Sequence, residues 1–166
     1  MFSIRELYDY SSRVRARFAE KLAELPWQEV EKNREASFYS MKDIFIHMID
    51  AEDRIVNWMI PGRIRQYTPM KFTEYTNMQM ILDHLYAVEK MTRSYLDRIS
   101  EADLQERVKW ERPSGESYDL SIEECLLQSF TEQLYHIGEL IALFWQENIE
   151  PPGMQWFLNN PRAQPK

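Results

Sequence analysis

The chain predicts an all-α protein: a four-helix bundle with a long crossover between its second and third helices and a short irregular, hairpin-like segment before the fourth. Three observations lead there. Four stretches of roughly 20 to 26 residues carry apolar side chains at helical spacing. Their ends are marked by Ser-x-x-Glu capping signals and by prolines. Only four glycines occur among 166 residues, and the long segments are rich in Glu, Leu, Met, Arg and Ala, which favour helix. The length suits one domain over residues 1–166.

The first helix is expected from Ser3 to Leu25, with Ile4, Leu7, Ser11, Val14, Phe18, Leu22 and Leu25 in one stripe. Ser3 and Glu6 form a capping box, and Pro26 stops the helix. Trp27 to Phe38 is polar and loop-like, with a short helical turn expected over Glu29 to Arg34. The second helix runs from Ser40 to Ile60 and ends at Pro61-Gly62; its stripe is Met41, Ile44, Phe45, Met48, Ile55 and Met59. Arg63 to Tyr75 lacks periodicity and is long enough to cross the end of a bundle. The third helix, Thr76 to Ser100, places Met78, Ile81, Leu85, Val88, Thr92, Tyr95 and Ile99 in near-heptad spacing, with an ordinary charged outer face.

The segment RVKWERPSGESYDL alternates loosely around a Pro-Ser-Gly turn, as a short β-hairpin would. The fourth helix, Ser121 to Gln146, opens with a Ser121–Glu124 capping box and is the most apolar of the four. Ile122, Leu126, Phe130, Leu134, Ile137, Leu140, Ile141 and Phe144 fill a wide arc, with Gln133 set among them. Pro151-Pro152-Gly153 breaks the chain; Met154 to Asn160 reads as an aromatic cap bearing Trp156 and Phe157, and PRAQPK as a frayed tail. Thr131, Gly138 and Ala142 put small residues on the outer side of the fourth helix, so that side is expected to pack against the terminal segments or a second copy in a homodimer.

Composition excludes several functions. The net charge is −7 with Lys and Arg scattered among acids, against a nucleic-acid partner, which needs a basic patch. No apolar run approaches the roughly 18 residues of a membrane span, so no membrane partner is expected. The single Cys125 and the lack of an apolar export segment at the N-terminus point to a reducing cytoplasm.

Chemistry enters along one edge of the apolar arc. Cys125, Ser129, Glu132, His136 and Leu143 form a line there, and Glu132 and His136, four residues apart, project from the same side of the helix. His47 borders the stripe of the second helix. Bundles build metal sites from side chains on facing helices, so His47, Glu132 and His136 are candidate ligands of one divalent ion. Two imidazoles and a carboxylate suit Zn²⁺, Ni²⁺ or Fe²⁺ and leave open positions for water or substrate. The same spacing also describes a solvated Glu beside a hydrogen-bonded core histidine.

Around this trio, Asp50 and Asp43 lie one turn either side of His47, and Glu139 lies one turn beyond His136, as residues able to orient the rings; solvent-facing acids are the simpler reading of all three. Glu52 is turned well away from His47, Cys125 is read as a small core residue, and His84 as surface or hydrogen-bonded. Trp58, Tyr135, Trp145 and Trp156 are core aromatics by default and pocket candidates otherwise.

FIHMIDAEDRIVNW and EQLYHIGELIALFW resemble the two signature segments of the DinB-like family of metal-dependent bundle proteins. The resemblance covers essentially the whole chain in helix order. In that family a second-helix His and an H-x-x-x-H pair, usually within H-x-x-x-H-R-G-Q, bind a divalent metal. By position His47 matches the second-helix ligand, His136 the second His of the pair and Gly138 the glycine. Glu132 stands where the first His is usual, Ile137 replaces the Arg and Glu139 the Gln. The resemblance implies a metal held by His47, Glu132 and His136, and either thiol-dependent transfer using a low-molecular-weight thiol or metal-assisted hydrolysis of a small-molecule substrate. The contrasting expectation is a metal-free, non-catalytic dimeric bundle that binds a small molecule or a partner.

Overall fold

Local signals set the helix ends in the computed structural model, which describes residues 3–111 and 114–159. Helix α1 spans Ile4–Ala23, and the Ser3–Glu6 capping box is formed in both directions. A five-residue helix α2, Trp27–Glu31, follows Pro26. Helix α3, Met41–Glu52, begins where the Ser40 hydroxyl accepts from the Asp43 amide. Helix α4, Met78–Leu96, is capped by Asn77, one residue later than the sequence suggests. Helix α5, Ile122–Gln146, carries the expected Ser121–Glu124 box, and Asn148 at φ 55° turns the chain out of it. Helix α6, Trp156–Asn159, lays Trp156 against Tyr10 of α1, with ring centroids 4.8 Å apart. Phe157, expected in the same cap, is 62% exposed.

Two findings amend the expected all-α architecture. The segment before α5 is a regular antiparallel pair, β1 (Arg107–Glu111) with β2 (Ser117–Ser121), in which Val108 faces Leu120 and Trp110 faces Tyr118. Gly115, at φ +90°, takes the left-handed conformation that the connection needs. Pro113 of the expected turn, Asn160 and the PRAQPK tail lie outside the described residues. Second, the helix expected from Ser40 to Ile60 is not α-helical throughout: Asp53–Met59 is a π-helix. Its wider turn shows in the bonds from Ile60 N to Ile55 O (3.0 Å) and from Arg63 N to Trp58 O (2.7 Å). No Pro or Gly interrupts DRIVNWM, so the sequence carries no marker for the change.

The long helices pack α1 against α4 and α5, and α3 against the same two. Their interior divides into two apolar clusters. One gathers Val14, Phe18, Ile44, Met48, Leu85 and Phe144; the other, beneath the hairpin, gathers Tyr8, Val56, Leu96, Val108, Leu126 and Phe130. At the level between them each long helix contributes a polar residue: Arg15, Glu52, Glu89 and Gln133. Arg15 and Glu52 are fully buried and 2.6 Å apart; Glu89 Oε1 lies 2.8 Å from the other Arg15 terminal nitrogen. Gln133 Nε2 donates to Glu52 at 2.7 Å, and the Tyr8 hydroxyl donates to it at 3.2 Å. Burial alone would lower the Arg15 pKa, but the two carboxylates hold it above its ordinary value. This layer ties α3 to α5 one residue away from Glu132.

Candidate metal centre

His47 leaves the middle of α3, and Glu132 and His136 leave the facing side of α5 one turn apart. The packing of α3 on α5 brings the three together. One candidate ligand atom from each lies within 4.8 Å of the other two. His47 Nε2 is 3.2 Å from Glu132 Oε1, and the two imidazole centroids are 4.8 Å apart at 82°. His136 is buried, whereas the His47 and Glu132 side chains are partly exposed, at 18% and 22%.

The surroundings fix both rings. Glu139 contacts His136 Nδ1, leaving Nε2 as the ring nitrogen available to a ligand. Phe38 stacks on His47 with centroids 3.9 Å apart and meets His136 edge-on at 5.5 Å. The loop carrying Phe38 is itself anchored, since Arg34 reaches Glu29 of α2 and Glu147 at the end of α5. The Glu132 carboxyl is held below its ordinary pKa, first by its hydrogen bond with His47 and, against the opposing effect of burial, by Gln128. An ionised carboxylate only accepts, so the His47 Nε2–H is the donor here.

The donor chemistry fits a divalent cation. Imidazole nitrogen and carboxylate oxygen bind Zn²⁺ tetrahedrally at about 2.0–2.2 Å, which puts paired donors roughly 3.3–3.6 Å apart. The His47–Glu132 pair is already at 3.2 Å, and the widest separation within the trio, at most 4.8 Å, needs to close by about an ångström. Binding would displace the His47 Nε2 proton.

Glu132 and His136 line a cleft of about 1230 Å³ bounded by the π-helix, the hairpin and α5. Ile55, Met59, Leu120, Trp110 and Tyr118 give it apolar surface. Cys125 lies in the same wall as a buried thiol pushed up to about 11 by burial, in keeping with a small core residue.

Not every expected neighbour takes part. Asp50 is not directed at His47: its Oδ1 accepts from the Tyr67 hydroxyl and, at 2.8 Å, from the Met70 amide, so it pins the crossover to α3. Its partners come from a stretch without periodicity, which is why its place on α3 suggested the ring instead. Asp43 donates its backbone amide to the Ser40 cap, and its carboxylate lies 3.5 Å from Lys42 Nζ. Glu139 does contact its histidine, where solvent exposure is the simpler sequence reading. Glu52 turns away from His47 as its spacing requires, into the buried layer. His84 is hydrogen-bonded to Tyr75. Of the aromatic pocket candidates only Tyr135 borders the cleft; Trp58 packs on Tyr67, and Trp145 is 57% exposed.

Sequence reasoning passed over Phe38, Arg15 and Gln128. The Phe38-Tyr39 pair closing the polar run before α3 was the available signal for the first. Glu52 occupies a stripe position, four after Met48 and three before Ile55, and an acid there signals a buried partner.

The class defined by these features is a predominantly helical domain with a two-histidine, one-carboxylate cluster at the wall of an open cleft. The chain belongs to the DinB family, whose sequence profile matches residues 1–166. Its fold is similar to the crystal structure of a DinB-like protein from Bacillus cereus ATCC 10987, with a TM-score of 0.63 and 16% identity, covering 86% of this chain and 91% of that one. At that identity the likeness is one of fold. No curated protein sequence matches the chain. Among the described residues no helix is long and apolar enough to cross a membrane.

Proposed function

We propose that the protein is a divalent-metal-dependent enzyme that binds its ion through His47, Glu132 and His136 and acts on a small molecule in the adjoining cleft. The observation that carries this reading is the convergence of the three donors with Glu139 behind His136. A bound Zn²⁺, Ni²⁺ or Fe²⁺ would supply Lewis acidity, lowering the pKa of a coordinated water or thiol toward neutrality. The chain's part is to prepare the donors. Glu139 orients His136, Phe38 holds both rings, and Glu132 adds a negative charge that retains a cation. The cleft leaves the inner cluster open on the side of the hairpin. Thiol-dependent transfer and metal-assisted hydrolysis both use this arrangement.

The 3.2 Å contact of His47 with Glu132 favours a second reading, a metal-free bundle in which these two groups satisfy each other. Metal analysis separates the two. Untagged protein purified without chelators is expected to hold about one divalent ion per chain, lost in Glu132→Ala and His136→Ala. Metal content that is the same in wild type and both variants would reject the metal centre.

A further inference from the structure

The cleft contains a cation that the metal reading leaves unused. Arg54 lines it from the first turn of the π-helix, half-buried, and among the described residues it makes no ion pair or hydrogen bond. The acids bordering the same space are committed elsewhere. Glu132 contacts His47 and Gln128. Glu124 accepts from the Ser121 amide and lies 3.6 Å from Arg107. Among the described residues Arg54 is therefore the cleft cation with no ion pair or hydrogen bond, its charge felt only at the Tyr67 hydroxyl that Asp50 holds.

Its position relative to the donors is set by the helix. Arg54 is seven residues beyond His47, close to two turns, which places it on a similar side and roughly 10 Å farther along the axis at about 1.5 Å per residue. Ile55 and Met59 of the π-helix, with Trp110, Tyr118 and Leu120 of the hairpin, supply the apolar wall of the cleft. π-helical turns recur at functional sites because they re-aim side chains that a regular helix would direct elsewhere.

We propose that the cleft takes an elongated small molecule with an apolar body and one anionic group, a carboxylate or sulfonate, which Arg54 binds while the opposite end of the ligand reaches the His47–Glu132–His136 cluster. The assignment rests on the reading of this cleft as the substrate site. A guanidinium offers paired N–H donors to two oxygens of either anion, and partial burial keeps that interaction from being fully screened. An uncharged analogue would leave Arg54 as unpaired as it stands now.

Calorimetric titration of zinc-loaded protein with 8-mercaptooctanoate and with 8-mercaptooctan-1-ol tests the assignment. The two share a thiol and a chain of about the required span, and differ in the terminal charge. The acid is expected to bind about tenfold tighter than the alcohol. Arg54→Gln should abolish that preference while leaving alcohol affinity and zinc content unchanged, and Arg54→Lys should retain part of it. Equal binding of acid and alcohol by the wild type, or a preference that survives Arg54→Gln, overturns the assignment. If zinc does not bind, the metal reading fails separately. Octanoate and octan-1-ol titrated into the same metal-free proteins then decide the role of Arg54 by the same comparison.

Discussion

Removing the Glu52 carboxylate is the sharpest test of how the two apolar clusters are joined. Glu52→Ala leaves Arg15, whose side chain has no solvent exposure, with Glu89 alone, deprives Gln133 Nε2 of its acceptor and takes from the Tyr8 hydroxyl the nearer of its two. Removing one partner of a buried pair costs about 3–5 kcal/mol when the remaining charge is left uncompensated; Glu89 still faces Arg15, so the lower end, about 3 kcal/mol, applies. For 166 residues, an unfolding entropy of about 2.1 cal/mol/K per residue gives about 0.35 kcal/mol/K, so Tm should fall by about 9 °C. The double variant Arg15→Met/Glu52→Leu removes the fully buried pair and fills the space with apolar groups, leaving the partly exposed Glu89 to solvent; it should recover at least half of the loss. Thermal unfolding followed by circular dichroism reads both effects. A Glu52→Ala midpoint within 2 °C of wild type, or a double variant no more stable than the single one, would refute the account of the polar layer.

The remaining predictions concern the site and its surface. Glu139→Gln should weaken zinc binding about 10–100-fold in competition with a chromophoric chelator, since the partner that orients His136 loses its charge; unchanged affinity would remove Glu139 from the site. Cys125 should stay a neutral thiol until pH approaches 11. Its pKa is raised from 9.0 to about 11, so its thiolate fraction at pH 8 is about a hundredfold lower than for an unshifted thiol. Alkylation of native protein at the rate of a free cysteine would contradict this. We also propose that the exposed face of α5 is covered by a second copy, because Leu127, Tyr135 and Trp145 are 47%, 68% and 57% exposed there. A side chain at Gly138 would meet nothing within 4 Å, so Gly138→Arg should keep the fold and convert a dimer to a monomer in sedimentation. A wild type that is monomeric at tens of micromolar would remove that face as an interface.

The helices were legible because their signals are local. Ser3, Ser40 and Ser121 mark N-termini by a hydroxyl three residues before an amide it can accept from, and each is an N-cap in the fold. The candidate ligands were legible because an i, i+4 pair needs only one helix to be right, and the His47 partnership follows from the pairing of α3 with α5. What escaped depends on contacts distant in sequence. Phe38 sits in an irregular loop whose conformation is set by Arg34 reaching Glu29 and Glu147. The π-helix sends Ile55, Val56 and Met59 into the cluster beneath the hairpin and has no compositional marker. Neither reading of Asp50 from sequence, ring partner or solvent-facing acid, anticipates its partners, Tyr67 and the Met70 amide, because they lie in the crossover.

Anomalous scattering from crystals of untagged protein grown with zinc addresses the metal centre directly. One peak is expected about 2.0–2.2 Å from His47 Nε2, His136 Nε2 and a Glu132 carboxylate oxygen. A zinc-saturated crystal with no peak among these three side chains would contradict the assignment.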